Sequence, residues 1–152
     1  MKIESNFIVA DLGYGSGFFT NPRSKKVKKV YGIDVQKGML NFLEVKIRRL
    51  KIENIEPLLS TENEIPLEND RLDLLLLMNT LHEFDDRERM VLQINRVLKQ
   101  GGIAVIADLK KKDTGFGPPL AVRLSKQQAM DLFEKRSFTA LQKRELKYIT
   151  IC

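Results

Sequence analysis

The sequence predicts one α/β domain around a mostly parallel sheet, and three observations carry that expectation. Short apolar runs alternate with segments of helical period along the chain, the pattern of strands joined by crossover helices. Residues 72–78 form an apolar run broken only by Asp73, as expected for a central strand covered on both faces. Two closing strand-like stretches, 138–141 and 146–152, have a connection so short that only an antiparallel pair can use it.

The elements follow in order. Residues 7–12 read as a first strand, 16–25 as a helix and 29–34 as a second strand. Residues 36–50 form an amphipathic helix with Met39, Leu40, Leu43, Ile47 and Leu50 on its apolar stripe. The third strand, 55–59, contains Pro57, which cannot donate to a ladder and so places the strand at an edge. After the fourth strand, Asp85 with Glu88 caps a helix that Gly101 and Gly102 end, with Met90, Val91, Ile94, Val97 and Leu98 buried. Residues 103–108 are a fifth strand, and 109–124 are irregular. Ser125 and Gln128 then form a capping box that opens a helix to about Lys135.

Composition bounds the function. The 152 residues suit a single domain with its own core, 43% hydrophobic and 30% charged, without repeat or linker. No apolar run reaches the ~20 residues that span a bilayer, and no signal-peptide pattern is present. Cys152 is the single cysteine, which excludes a disulfide framework and a cysteine zinc site. A cytoplasmic setting is the expectation. The net charge of +6 is spread over Lys25, Lys26, Lys28, Lys29, Arg48, Arg49, Lys51, Lys110 to Lys112, Lys143, Arg144 and Lys147. Aromatic residues do not interleave with these clusters to stack on bases, so they read as solvated helix ends and loops.

Ligands of open α/β sheets bind beyond the carboxyl ends of the strands, near the switch point. That directs attention to Asp11-Leu12-Gly13-Tyr14-Gly15-Ser16-Gly17 after the first strand. Its glycines let backbone approach a ligand, and the N–H groups of the helix start can hold a carboxylate. A dinucleotide fingerprint would place its third glycine where Phe18 stands. Asp34 ends the second strand, where a ribose-binding carboxylate belongs. The combination points to a nucleoside ligand.

Residues 8–20 and the stretch Val30-Tyr31-Gly32-Ile33-Asp34 resemble the first two motifs of class I S-adenosylmethionine-dependent methyltransferases. Ile65-Pro66-Leu67 before Leu72-Asp73-Leu74, Asn79-Thr80-Leu81-His82-Glu83-Phe84 at that strand's end, and Arg96-Val97-Leu98-Lys99-Gln100-Gly101-Gly102 continue the resemblance in order. Within the class the chain is most similar to small-molecule methyltransferases of ubiquinone and menaquinone biosynthesis. Gly117-Pro118-Pro119 and Arg123-Leu124-Ser125 also resemble stretches of their uncharacterised relatives.

The resemblance implies a three-layer Rossmann-like fold with seven strands in the order 3-2-1-4-5-7-6, strand seven antiparallel. It implies S-adenosylmethionine as cofactor and S-adenosylhomocysteine as product. The backbone at Gly13, Tyr14, Gly15 and Gly17 would hold the methionine moiety, and Asp11 would orient the loop or reach the amino group. Asp34 would bind the ribose hydroxyls and Val35 would pack on the adenine. Thr61 and Glu62 fall where the family contacts the adenine edge, although its common Asp is absent; Asn79 would offer a carbonyl to the amino group. A loop cap for Thr61 and a strand terminator for Asn79 are the competing readings.

Methyl transfer needs a base only where the acceptor must first lose a proton. His82, the only histidine, is the candidate base or acceptor-orienting group, against a helix-start histidine satisfied locally. Glu83, Asp85 and Asp86 make no expected metal site. The 110–123 loop reads either as a lid whose lysines and Arg123 meet an acidic acceptor or as a solvated loop. Residues 1–152 are expected to form a single methyltransferase domain without the helices that usually precede strand one, and Asn21 and Arg23 occupy positions commonly apolar. That leaves the cofactor site open, or closed by a second copy or a partner chain. The expected acceptor is a small molecule, with no membrane. The alternatives are nucleic-acid methylation and a cofactor-binding module that needs a partner subunit.

Overall fold

A computed structural model describes residues 3–15, 17, 24–141, 144–145 and 149–151. Five strands, β1 (Ile8–Leu12), β2 (Lys29–Asp34), β3 (Ile55–Leu59), β4 (Leu72–Met78) and β5 (Leu98–Leu109), lie in the order β3-β2-β1-β4-β5. Every neighbouring pair among them is parallel. Beyond β5 the sheet continues as two short segments, β6 (Arg144–Glu145) and β7 (Ile149–Ile151). β7 runs antiparallel to the end of β5 and β6 antiparallel to β7, giving the order β3-β2-β1-β4-β5-β7-β6. The parallel body is thus five strands wide, and the antiparallel extension is narrow.

Helices α1 (Lys37–Leu50), α2 (Arg87–Val97) and α3 (Lys126–Glu134) and the 3-10 turn η1 (Leu81–Glu83) complete the described elements. β4 alternates its side chains between two cores, as a doubly covered strand must. Leu75 and Leu77 join Ala10, Leu12 and the α2 residues Met90, Val91, Ile94 and Val97. Leu74 and Leu76 join Val9, Val30, Tyr14 and Leu43 of α1 on the other face. Each fully buried leucine stabilises the fold by about 1.5–3 kcal/mol. β3, with Pro57, lies at the outer edge and pairs with β2.

Several boundaries differ from the sequence expectation. Asp86, one residue beyond Asp85, caps α2 by accepting from the Arg89 N–H at 2.9 Å. The helix ends at Val97 rather than at the glycines, because Leu98 already pairs with Leu72 of β4. The register then jumps, so that Leu74 meets Ile103 and the residues between form a bulge. Gly101, at φ 76°, and Gly102, packed under backbone carbonyls, turn that bulge.

Residues 138–141 are not a strand: Phe138 instead packs edge-on against Phe133, with ring centroids 5.3 Å apart. The α1 stripe is narrower than expected, with Leu40 and Leu43 buried but Met39 and Leu50 exposed. α1 packs mainly over β2 and β3, at the edge of the sheet, so less apolar surface faces it. The Ser125–Gln128 capping box is formed, each partner accepting from the other's backbone N–H. The expected helix over 16–25, with Asn21 and Arg23, falls largely outside the described residues, as do Lys143, Lys147 and Cys152. No described helix is long and apolar enough to cross a membrane.

Candidate functional site

The parallel strands bring five chain ends to one edge of the sheet. From β1 the sheet grows outward to β2 and β3 on one side and from β4 to β5 on the other, so this reversal of strand order makes the crevice between the loops leaving β1 and β4 the switch point. After Leu12 the chain folds over the end of β2, and the N–H groups of Gly13 and Tyr14 both donate to the Ile33 carbonyl, at 2.9 and 3.1 Å. Gly13 and Gly17 have φ of 75° and 69°. A Cβ on Gly13 would run into the Thr80 side chain, and one on Gly17 into the Tyr14 phenol. Both glycines are therefore required by packing inside the protein.

Gly15 differs. It also has positive φ, yet among the described residues a Cβ there would find nothing closer than a carbonyl at 4.0 Å. Tyr14 has only its backbone to offer a ligand, because its ring is buried in the core against Gly32.

Asp34 closes the site from below. Only 8% exposed, it accepts from the Gly15 N–H at 3.2 Å through Oδ2 and from the Gln36 N–H at 2.9 Å through Oδ1. Its own carbonyl accepts from Ser60 N–H at 3.0 Å, which ties β2 to the loop after β3. A carboxylate has about four acceptor positions, of which the described residues fill two. Ser60 Oγ is buried and has no hydrogen-bond partner, the single such side-chain atom among the described residues. It stands beside the Asp34 backbone, to whose carbonyl the Ser60 N–H donates. Sequence reasoning missed Ser60 because orphaned burial is visible only in three dimensions.

The other expected residues fall around this centre. Asp11 is buried in β1, in register with Gly32 of β2 and Leu76 of β4. Val35 is exposed beside Asp34. Thr61 and Glu62 are exposed in the loop after β3, where Thr61 Oγ1 accepts from Asn63 N–H at 3.3 Å as a loop cap. Asn79, at φ 55°, leaves β4 with its N–H donating to the Ala107 carbonyl at 2.7 Å. Thr80, part of the motif after β4 but given no role from sequence, packs against Gly13 and donates to the Met78 carbonyl at 3.1 Å.

His82 follows on η1 and is buried. Its Nδ1 lies 2.8 and 3.0 Å from the two carboxylate oxygens of Asp108, at the end of β5. The His82 N–H also donates to Asp108, at 3.2 Å, and Leu109 N–H donates to it at 2.8 Å. Asp108 went unnoticed in the sequence because it is 26 residues from His82. Only the β4–β5 register joins them. Arg87 of α2 fastens this corner by donating to the Leu81, His82 and Val122 carbonyls at 3.2, 3.1 and 3.2 Å.

Arg123 does not reach toward an acceptor. It is 5% exposed, and its guanidinium donates to the carbonyls of Pro118, Lys110, Lys112 and Phe116 and to Thr114 Oγ1. The 110–123 loop is wound around this side chain, which satisfies carbonyls that no ladder serves. Lys111 and Lys112 are exposed on it. No cluster of three or more His, Cys, Asp or Glu that could hold a metal occurs among the described residues. A cavity of about 1240 Å³ flanks Leu98, Ile103, Ile106 and the α3 residues Ala129 and Phe133, away from the glycine loop.

Comparison with known proteins agrees with this geometry. Residues 10–106 match the methyltransferase domain family. The ubiquinone/menaquinone biosynthesis C-methyltransferase UbiE of Campylobacter jejuni is 26% identical over 122 residues, 76% of this chain and 50% of that protein. An uncharacterised methyltransferase-like protein of Schizosaccharomyces pombe is 35% identical over 102 residues, 66% of this chain and 37% of its own length. The chain thus spans half or less of these curated relatives. The crystal structure of a SAM-dependent methyltransferase from Aquifex aeolicus is 31% identical and superposes with a TM-score of 0.91, covering 99% of this chain and 82% of that one.

Proposed function

The chain belongs to the methyltransferase domain family, and from that premise we propose that it transfers a methyl group from S-adenosylmethionine to a small-molecule acceptor. The observation that carries the reading is Asp34. A buried carboxylate held by Gly15 and Gln36 N–H groups, with acceptor positions that the described residues leave unfilled, suits a ribose diol at the end of β2.

The surrounding donor set fits the rest of the cofactor. The backbone at Gly13, Tyr14, Gly15 and Gly17 would hold the methionine moiety, with Asp11 behind the loop and the Asn79 carbonyl near the amino group. Val35, Thr61 and Glu62 would border the adenine, and the unpaired Ser60 Oγ would gain a partner there. When bound, the cofactor supplies an electrophilic methyl on a sulfonium. The chain's own contribution is to hold the reactants in line and to exclude water.

A small acceptor is supported by the UbiE relative, whose name places it in quinone biosynthesis. The purified chain should release S-adenosylhomocysteine when incubated with S-adenosylmethionine and a panel of small hydroxylic, amine and carbon-acid acceptors. Release that occurs only with RNA or DNA, and that falls steeply with salt, would replace this reading by nucleic-acid methylation.

A further inference from the structure

Resting on the methyltransferase reading, we propose that His82 and Asp108 form a proton-accepting pair, and that the acceptor is one that must lose a proton to be methylated. That class comprises hydroxyls, enols and acidic carbons, and excludes tertiary amines and thioethers, which react through a free lone pair.

The argument begins with the two ring nitrogens. Nδ1 faces both oxygens of the Asp108 carboxylate, which can only accept, so Nδ1 carries the hydrogen of the neutral ring. The lone pair is thereby assigned to Nε2. Among the described residues Nε2 has no hydrogen-bond partner, and it is not among the buried unpaired side-chain atoms, where Ser60 Oγ stands alone. Although the side chain is only 7% exposed, Nε2 is therefore not fully covered by the described residues. A histidine placed only to fill the corner would have both nitrogens satisfied or covered. Here one is locked and the other is left to receive.

The lock is built, because Asp108 is fixed by the N–H groups of Leu109 and His82, so its orientation does not depend on the imidazole. η1 is fixed through the Arg87 donation to the His82 carbonyl. The charged groups meeting this corner are Asp108 from β5 and Arg87 from α2, with Glu83 exposed next along η1. Two residues before His82, Thr80 abuts Gly13, which places the pair beside the crevice where the cofactor loop lies.

The proton balance is simple. The acceptor's X–H bond breaks, its proton forms an N–H bond at Nε2, and the electron pair stays on X. That pair forms the new bond to the methyl carbon while the C–S pair remains on sulfur. The imidazolium, stabilised by Asp108, then returns its proton to water. His82 is the catalytic residue in this scheme, and Asp108 is a positioning residue acting through it.

Because His82 is the only histidine, its ring nitrogens give a single set of signals in nitrogen-15 NMR spectra of the full chain. With the ring neutral, the expected state is the Nδ1–H tautomer in the wild type, moving toward Nε2–H in Asp108→Ala. His82→Gln should reduce kcat by about 100-fold or more with S-adenosylhomocysteine affinity within about twofold of the wild type. An Nε2–H ring in a wild-type chain that binds S-adenosylhomocysteine overturns the pair alone. A tautomer unchanged in folded Asp108→Ala does the same, and so does undiminished turnover by His82→Gln. Failure of S-adenosylhomocysteine to bind the wild type overturns the methyltransferase reading itself.

Discussion

Gly13 and Gly15 share a left-handed backbone and differ in what surrounds them. Gly13→Ala meets both a strained φ and the Thr80 side chain, and should destabilise the fold by roughly 2 kcal/mol or more in urea unfolding. Gly15→Ala has room for its methyl, so its stability cost should be limited to about 1–2 kcal/mol of backbone strain while it projects into the ligand's space. Loss of S-adenosylhomocysteine affinity should therefore exceed loss of stability at Gly15, and the reverse should hold at Gly13. Asp73 supplies a pH-dependent test. Burial acts to raise its pKa, but the Ile8 N–H and the Lys99 ammonium, each 2.7 Å away, together hold it below the usual 3.8. Folding thus favours the ionised form, so its contribution is complete above the unfolded value and drains away as pH falls through the folded one. Asp73→Ala should cost about 1–3 kcal/mol at pH 7, and the gap to the wild type should narrow as the pH falls below the usual 3.8. Of the residues that matter, Asp34 was legible because a strand-end acid follows directly from sequence order. Asp108 and Ser60 were not, since one depends on strand register and the other on what its hydroxyl fails to meet.

Among the elements, the 110–123 loop shows how a charged side chain can serve as a core. Its carbonyls converge on Arg123, so Arg123→Met should make the loop a preferred site of limited proteolysis. Global unfolding should respond less, because the released carbonyls can return to water. Equal protease resistance in the variant would contradict this account of the loop. At the next element, Ser125→Ala removes half of the capping box and should cost about 1 kcal/mol. The capping box was legible from its spacing, as were β2, β3 and β4. The end of α2 was misread because Gly101 and Gly102 do what a helix stop requires and what a strand bulge requires equally well. Only the pairing of Leu98 with Leu72 decides between them. The stretch 138–141 was misread for a related reason: an apolar run fits a strand or an aromatic contact, and Phe133 determines which.

For the whole molecule, strand order decides where chemistry can occur. The reversal between β1 and β4 opens the crevice, and β4, buried on both faces, holds its floor in place. Leu75→Ala should cost about 2–5 kcal/mol, as for a fully buried leucine in a packed core. Order within the parallel body was foreseeable from Pro57 at one end and the apolar run of β4 near the middle, together with the family resemblance. The position of the described β6 was not, because two residues carry too little pattern. The central claim is that this crevice binds an S-adenosyl nucleoside through Asp34. Titration calorimetry with S-adenosylhomocysteine tests it most directly. The wild type should bind with one-to-one stoichiometry, and Asp34→Ala should weaken that binding by about 1–3 kcal/mol. No binding by the wild type, or equal binding by Asp34→Ala, would contradict the claim.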